Sequence, residues 1–260
     1  MVAAPVPARI GAAISFCLFA SLPLDSIVRI VRDLDFSIAP WDWPFSRERR
    51  ADIDAFWRTA KAAAPALFNG RVLLLNAFTL GDRRCSGTFF ETDYSDFIAW
   101  KTWGAPAAGA WNGFGMGALR ASDGAFMLGC MGAHTFNAGA VYFPSGTPDR
   151  DDIVGGRVDL AGSVMREVAE ETGLTPDDYR IAGDWTIVCH GAQVAAIRCL
   201  DLSLTAETAR LKILAHLGCE TEPELSDIRI VRGPADLEPA MPPFVIAYLN
   251  HVWDSKGRRG

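Results

Sequence analysis

The stretch Arg166-Glu167-Val168-Ala169-Glu170-Glu171-Thr172-Gly173-Leu174 decides how this chain is read. On a helix, positions i, i+3 and i+4 lie side by side, so Glu167, Glu170 and Glu171 share one face within about one turn. Three carboxylates so close repel one another and would weaken a bare helix. A hard divalent cation reverses that sign, because it takes carboxylate oxygens as ligands and keeps waters and substrate phosphates as the rest. Gly173 stands where helices end in a left-handed residue. The ordinary alternative is a solvated acidic face, and the order of the neighbouring residues decides against it.

Working outward, the order Arg-Glu-aliphatic-x-Glu-Glu-x-Gly-aliphatic is preceded by Phe143-Pro144-Ser145-Gly146. Together these resemble the Nudix box, Gly-x5-Glu-x7-Arg-Glu-U-x-Glu-Glu-x-Gly-U with U aliphatic, and the Phe-Pro-Gly-Gly that leads into it. The resemblance implies an α/β fold, a Nudix-type α/β/α sandwich with a mixed sheet. Its hydrolase domain would be 72–260, with residues 1–71 as an N-terminal extension of strand or arm and helix packed on that core. It further implies that Glu170 and Glu171 are paired metal-binding carboxylates and Glu167 a further ligand, for Mg²⁺ or Mn²⁺. Arg166 would orient them through charge-assisted hydrogen bonds. Ser145 and Gly146 would let the backbone come close to metal and substrate phosphate.

Two departures from the pattern stand out. Ser145 replaces the first glycine of the turn. Thr147 to Met165 is 19 residues, where the pattern has 13 between glycine and arginine, so six are inserted. Strict counting puts Asp152 at the glycine position and Val158 at the first glutamate. Asp159, one place further on, either substitutes for that glutamate or caps the helix, and the cap is the favoured reading.

Composition agrees with a small-molecule enzyme. The chain has 260 residues, 50% hydrophobic and 22% charged, with a formal net charge of −6. That is enough chain for a full core, and the acidic balance excludes a nucleic-acid backbone as main partner. The six cysteines (Cys17, Cys85, Cys130, Cys189, Cys199, Cys219) show neither zinc spacing nor a disulfide framework, which points to a reducing cytoplasm. Ile10 to Leu22 is apolar but too short to span a bilayer, which takes about 20 residues. A poor cleavage site at Ser21-Leu22-Pro23 makes an upstream extension or short helix a better reading than an export signal.

Periodicity and punctuation place the remaining elements. Leu34 to Pro44 reads as a strand or arm, and Ser46 to Ala64 as a helix capped by Ser46 and stopped by Pro65. Val72–Leu80 and Cys85–Glu91 read as paired strands, and Tyr94–Gly104 as a helix carrying Phe97, Ile98, Trp100 and Trp103. Those aromatics suit core packing, with a stacking platform for a base as the alternative. Strands follow at Phe114–Arg120 and Ala125–Met131 around an Asp-Gly turn, then at Ala140–Phe143. Beyond the Glu-rich helix come strands at Trp185–His190 and Gln193–Leu200, a helix at Thr205–Leu217, a strand at Ile228–Val231 and a helix at Pro242–Trp253.

Upstream of the box, Leu67-Phe68-Asn69-Gly70, Thr92-Asp93-Tyr94-Ser95-Asp96-Phe97 and Gly113-Phe114-Gly115-Met116-Gly117-Ala118-Leu119 look like the UDP-sugar diphosphatase branch of the family. The expected activity is metal-dependent hydrolysis of a nucleoside diphosphate linked to another moiety, most of all a UDP-sugar-like nucleotide sugar. ADP-sugars, dinucleoside polyphosphates and coenzyme A are the other candidates. The general base is open among Glu167, Glu222, Glu224 and Asp236, while His134 and His190 read as structural. The alternative is a Nudix-fold module that binds a nucleotide-linked metabolite without cleaving it.

Overall fold

The computed structural model describes residues 14–16, 26–65 and 67–257. Along the chain the strands and helices run β1 (Ile14–Phe16), β2 (Ile27–Val31), β3 (Asp33–Ile38), α1 (Pro44–Glu48), α2 (Arg50–Ala63), β4 (Arg71–Leu80), β5 (Arg84–Asp93) and α3 (Tyr94–Thr102). They continue with β6 (Asn112–Arg120), β7 (Phe126–Met131), β8 (Val141–Tyr142), β9 (Ile153–Val154), β10 (Arg157–Val158) and α4 (Leu160–Thr172). The last are β11 (Tyr179–His190), β12 (Gln193–Leu202), α5 (Ala206–Leu217), β13 (Leu225–Val231) and α6 (Pro243–Gly257).

The larger sheet has the order β13-β7-β6-β12-β11-β2, with β8 added on β7. Its β6–β12 pair is parallel and its other pairs antiparallel, so it is mixed. Strand β6 shows how helices come to lie on both faces. Its side chains alternate, and the odd positions Gly113, Gly115 and Gly117 have none. A Cβ on Gly115 would meet Val164 at 2.6 Å and one on Gly117 would meet Val168 at 2.4 Å. Helix α4 therefore presses directly onto this bare strip. On the even side, Phe114 meets Phe244 of α6 edge-on, with ring centroids 5.6 Å apart. The mixed sheet between helices that the sequence leads one to expect is present.

Beside it stands a second mixed sheet, β1-β4-β5-β3-β10-β9. It reaches the first at Gly113, where a Cβ would lie 2.5 Å from Leu75, and through paired backbone bonds between Leu75 and Trp111. Residues before Val72 supply strands to both sheets: β2 pairs with β11 at the edge of the larger sheet, and β3 lies inside the second, between β5 and β10. Of the apolar run Ile10–Leu22, Ile14–Phe16 is the strand β1, paired with β4, and the remainder lies outside the described residues.

The inserted segment before α4 is also built into this second sheet. Gly155 and Gly156 both take positive φ, 57° and 77°, the two-residue turn that matches strand twist. They close the hairpin β9–β10, and Arg157 pairs with Ser37 of β3 and with the Asp35 carboxylate. The insertion is thus an ordered hairpin rather than a slack loop.

Two expected elements differ. The helix expected over Ser46–Ala64 begins at Pro44 and breaks at Arg49 (φ −106°, ψ 16°) into α1 and α2. Ser46 is no cap, because its hydroxyl donates to Asp96 of α3. The strand expected from Trp185 starts at Tyr179; a register shift between Ala182 and Thr186, with Gly183 at φ 71°, hides its polar first half. The aromatics of α3 form a second core: Phe97, Ile98 and Trp100 are buried with Trp43, Phe45, Ile53 and Phe90. Core packing is the role the structure gives them.

Candidate active site

The site is assembled around α4, and its local sequence explains the helix's ends. Asp159 caps it, accepting from the backbone N–H of Ala161 at 3.1 Å and of Gly162 at 3.0 Å. Gly173 ends it at φ 66°, where a Cβ would also strike His216 at 2.6 Å. Val164, Val168 and Glu171 fall on one stripe at i, i+4 and i+7. That stripe faces the glycines of β6, so the packing that seats the helix also drives Glu171 inward.

The three glutamates therefore differ in solvation. Glu171 is 6% exposed, whereas the side chains of Glu167 and Glu170 are 13% and 60% exposed. One oxygen of Glu171 accepts from the Ser145 N–H at 3.1 Å. Its other oxygen, Oε2, is buried without a hydrogen-bond partner. Burial, then the Glu167 charge, push its pKa well above the usual range against the pull of Ser145. Burial also pushes Glu167 up to about 7; Arg166 opposes this, and Glu170, Glu224 and Asp152 add to it.

The turn before the insertion wraps these carboxylates. Phe143 is fully buried against Phe126 and Tyr248, and the Pro144 carbonyl accepts from Gly117 N–H at 3.0 Å. Ser145 contacts Glu171 through its backbone, so a serine serves as well as a glycine there. At Gly146 there is no such latitude: a Cβ would lie 2.3 Å from Glu167 Oε1.

Arg166 is the hub. Its Nη1 reaches Glu167 Oε1 at 2.9 Å and Glu170 Oε2 at 3.2 Å. Its Nη2 lies 3.1 Å from both oxygens of Asp152, which is 4% exposed. Partial burial works against the guanidinium's charge, but Glu167, then Asp152 and Glu170, outweigh it and raise its pKa. Sequence reasoning noted Asp152 only as standing at a glycine position and missed this pairing. The pair Asp149–Asp152, reciprocally capped across one short turn, was the available signal that this acid is held in place.

Of the candidate bases, Glu224 lies on the loop into β13, and its charge acts on both Glu167 and Glu171. Asp236 is engaged locally, accepting from the N–H groups of Arg232 at 2.6 Å and Gly233 at 3.2 Å. Glu222 is exposed and is not among the charges acting on Glu167 or Glu171. His190 Nδ1, at the end of β11, is 3.0 Å from the Ser26 hydroxyl just before β2, and His134 is exposed. His216, not singled out before, bonds the Glu170 carbonyl at 3.1 Å and steadies the end of α4.

Among the described residues no group of three His, Cys, Asp or Glu side chains converges to hold a metal ion; Arg166 holds one oxygen each of Glu167 and Glu170. The donor set nevertheless fits a hard divalent cation. It is all carboxylate, it is partly dehydrated, and it contains a buried oxygen with no partner. The described cysteines form no disulfide with one another; burial pushes the Cys85 and Cys189 thiols up to about 12, leaving them as inert packing groups. No described helix is long and apolar enough to cross a membrane.

No family model and no curated protein matches this chain. Among solved structures, the MutT protein from Methanosarcina mazei Go1 is similar at TM-score 0.38 and 17% identity, over 56% of this chain and 95% of that one. The Nudix hydrolase RenU from M. smegmatis is similar at TM-score 0.36 and 14% identity, over 56% and 84%. The Nudix domain of Shewanella oneidensis NrtR, complexed with ADP ribose, gives TM-score 0.36 and 18% identity, over 58% and 89%. Likeness of this size leaves the activity to be argued from the residues themselves.

Proposed function

We propose that this chain is a Nudix-type hydrolase that cleaves a nucleoside diphosphate linked to another moiety, with UDP-sugar-like nucleotide sugars as the preferred substrates. The observation that carries the reading is Glu171, a buried carboxylate with one oxygen unpartnered, beside a Glu167 that burial holds near neutrality. Such an arrangement is unfavourable without a cation. Glu167, Glu170 and Glu171 would hold Mg²⁺ or Mn²⁺. When bound, the cation neutralises diphosphate oxygens and lowers the pKa of water. Arg166 is a positioning residue, anchored by Asp152 and holding Glu167 and Glu170. Ser145 orients Glu171 through its N–H, and Gly146 leaves room beside Glu167 for substrate. Glu224 is the best-placed later-loop base. The domain is taken as 72–260, with 1–71 an extension joined through the strands β2 and β3, in a cytoplasmic protein.

The test is a panel of UDP- and ADP-sugars, dinucleoside polyphosphates and coenzyme A with and without Mg²⁺ or Mn²⁺. Nucleoside monophosphate should appear only with metal, and Glu170→Gln should abolish it. Turnover without metal, or turnover untouched by the substitution, overturns the mechanism. A second reading is a binder that does not hydrolyse, favoured by the absence of a converged ligand triad among the described residues and of the first box glutamate. Ligand-induced thermal stabilisation without product across the panel selects it.

A further inference from the structure

Helix α3 presents a cation that nothing described in the fold neutralises. Lys101, in its last turn, donates from Nζ to Asn137 Oδ1 at 2.8 Å. The ammonium sits 5.0 Å from the Phe136 ring centroid and 5.9 Å from that of Phe97. Burial alone lowers its pKa, with no acidic group contributing, and it forms no ion pair among the described residues. Arg71, Arg150 and Arg166 differ in this respect, for each sits on a carboxylate. A lysine is strongly hydrated in water, so leaving it half-dehydrated with one amide and two rings is unfavourable unless an anion arrives.

The surroundings say where that anion would come from. Asn137 donates its Nδ2 to the Tyr142 hydroxyl at 3.0 Å. Tyr142 leads directly into Phe143-Pro144-Ser145, the turn whose N–H holds Glu171. Burial raises the Tyr142 pKa first, and the charges of Glu171, Glu224 and Glu167 add to it, so the phenol stands within the field of the carboxylate site. A second line of sight comes from Tyr94, which shares a face of α3 with Phe97 and Lys101 at i, i+3 and i+7. Its phenol feels Glu224 as well. Asn137 and Tyr142 thus link the Lys101 ammonium to the turn that holds Glu171. Phe136, 44% exposed, adds an open apolar wall next to the ammonium.

We propose that Lys101, seated on Asn137 between Phe97 and Phe136, is an anion subsite that takes a substrate phosphate across from the carboxylate helix. It rests on the reading of that helix as the centre of a diphosphate-cleaving site, and it extends the site to a face of α3 whose aromatics otherwise serve only as core. The ammonium acts as a point charge on the phosphate, while Phe136 lies against whatever the phosphate carries.

The experiment is calorimetric titration of the full chain in Mg²⁺ with UDP, ADP, inorganic pyrophosphate, uridine and adenosine, on the wild type, Lys101→Met and Lys101→Arg. Lys101→Met keeps the aliphatic stem and removes the charge. It should weaken UDP, ADP and pyrophosphate by about 10- to 100-fold, the worth of a hydrogen bond to a charged group. Uridine and adenosine should bind it as they bind the wild type, and Lys101→Arg should recover part of the loss. In turnover, the loss should appear in KM more than in kcat. Phosphate-bearing ligands that bind Lys101→Met within twofold of the wild type overturn the subsite, as does an equal loss for nucleosides and nucleotides. A wild type that binds UDP in a Lys101-dependent way but cleaves no substrate keeps the subsite and removes the hydrolase reading. A wild type that binds none of the phosphates removes both.

Discussion

Two buried carboxylates, one on each of two helices, are treated in opposite ways by this molecule. Asp96 of α3 is 2% exposed, and its oxygens accept from the hydroxyls of Ser46 and Thr92 and from the Arg50 guanidinium, the latter at 2.8 Å to each oxygen. Glu171 of α4 is 6% exposed, yet it has a single backbone N–H on one oxygen and nothing on the other. A buried charge that is fully bonded holds parts together: Asp96 ties α1 and α2 to α3. A buried charge left half-bonded is unfavourable in the resting protein. Such a residue is the one expected to meet a ligand, and the difference is why α4 rather than α3 is read as the catalytic centre.

That contrast can be broken most directly at Glu171. Glu171→Gln should lower metal-dependent turnover on the order of 10³-fold while raising the melting temperature of metal-free protein at pH 8. The sign follows from the raised folded-state pKa of Glu171 and Glu167 above the ordinary 4.5. Folding favours their protonated forms, so the cost is absent at pH 4 and grows as pH rises through 4.5 toward about 7, the value for Glu167. Thermal melts in a chelator from pH 4 to 8 should therefore show the Glu171→Gln variant ahead of the wild type only at the upper end. An advantage independent of pH contradicts the assignment.

Asp96→Ala should do the reverse. It strands the Ser46 and Thr92 hydroxyls and one face of Arg50, costing about 2–4 kcal/mol of stability, the lower part of the range for a buried ion because Arg50 is partly exposed. Denaturant midpoints measure the loss, and the kcat of the protein still folded should stay near wild type. The smallest effect belongs to Asp152, the acid that links the two themes. Asp152→Asn keeps its shape but removes the charge that anchors Arg166, and should lower kcat about tenfold with little change in KM, as expected of an outer partner of a ligand set. An unchanged kcat would leave Arg166 adequately held by the glutamates alone.

Much of this was legible in the chain. The i, i+3, i+4 spacing put the glutamates together, Asp159 read as a cap, and Gly173 read as a terminator; each depends on residues within a turn or two. The Asp123-Gly124 turn placed β6 and β7, and the strongly apolar run Val72–Leu80 placed β4. Other features were written in the sequence but passed over. Gly155-Gly156 between Ile153-Val154 and Arg157-Val158 signals a hairpin, and it accounts for the insertion. The first half of β11 was hidden because Arg180, Ile181, Gly183 and Asp184 are exposed there, so no apolar alternation marks it.

By itself, then, the sequence determined which side chains are neighbours along one helix or across one tight turn, because covalent spacing and backbone geometry set those distances directly. It could not rank the three glutamates. Only packing decided that Glu171 would be buried, through the bare glycines of β6 that draw α4 down on the Val164–Val168 side. Packing also brought Asp152 to Arg166 and Glu224 to the carboxylate site, and it set Lys101 beside Asn137. Those contacts join residues far apart in the chain, where desolvation and long-range charge arise from the folded whole and from no local pattern.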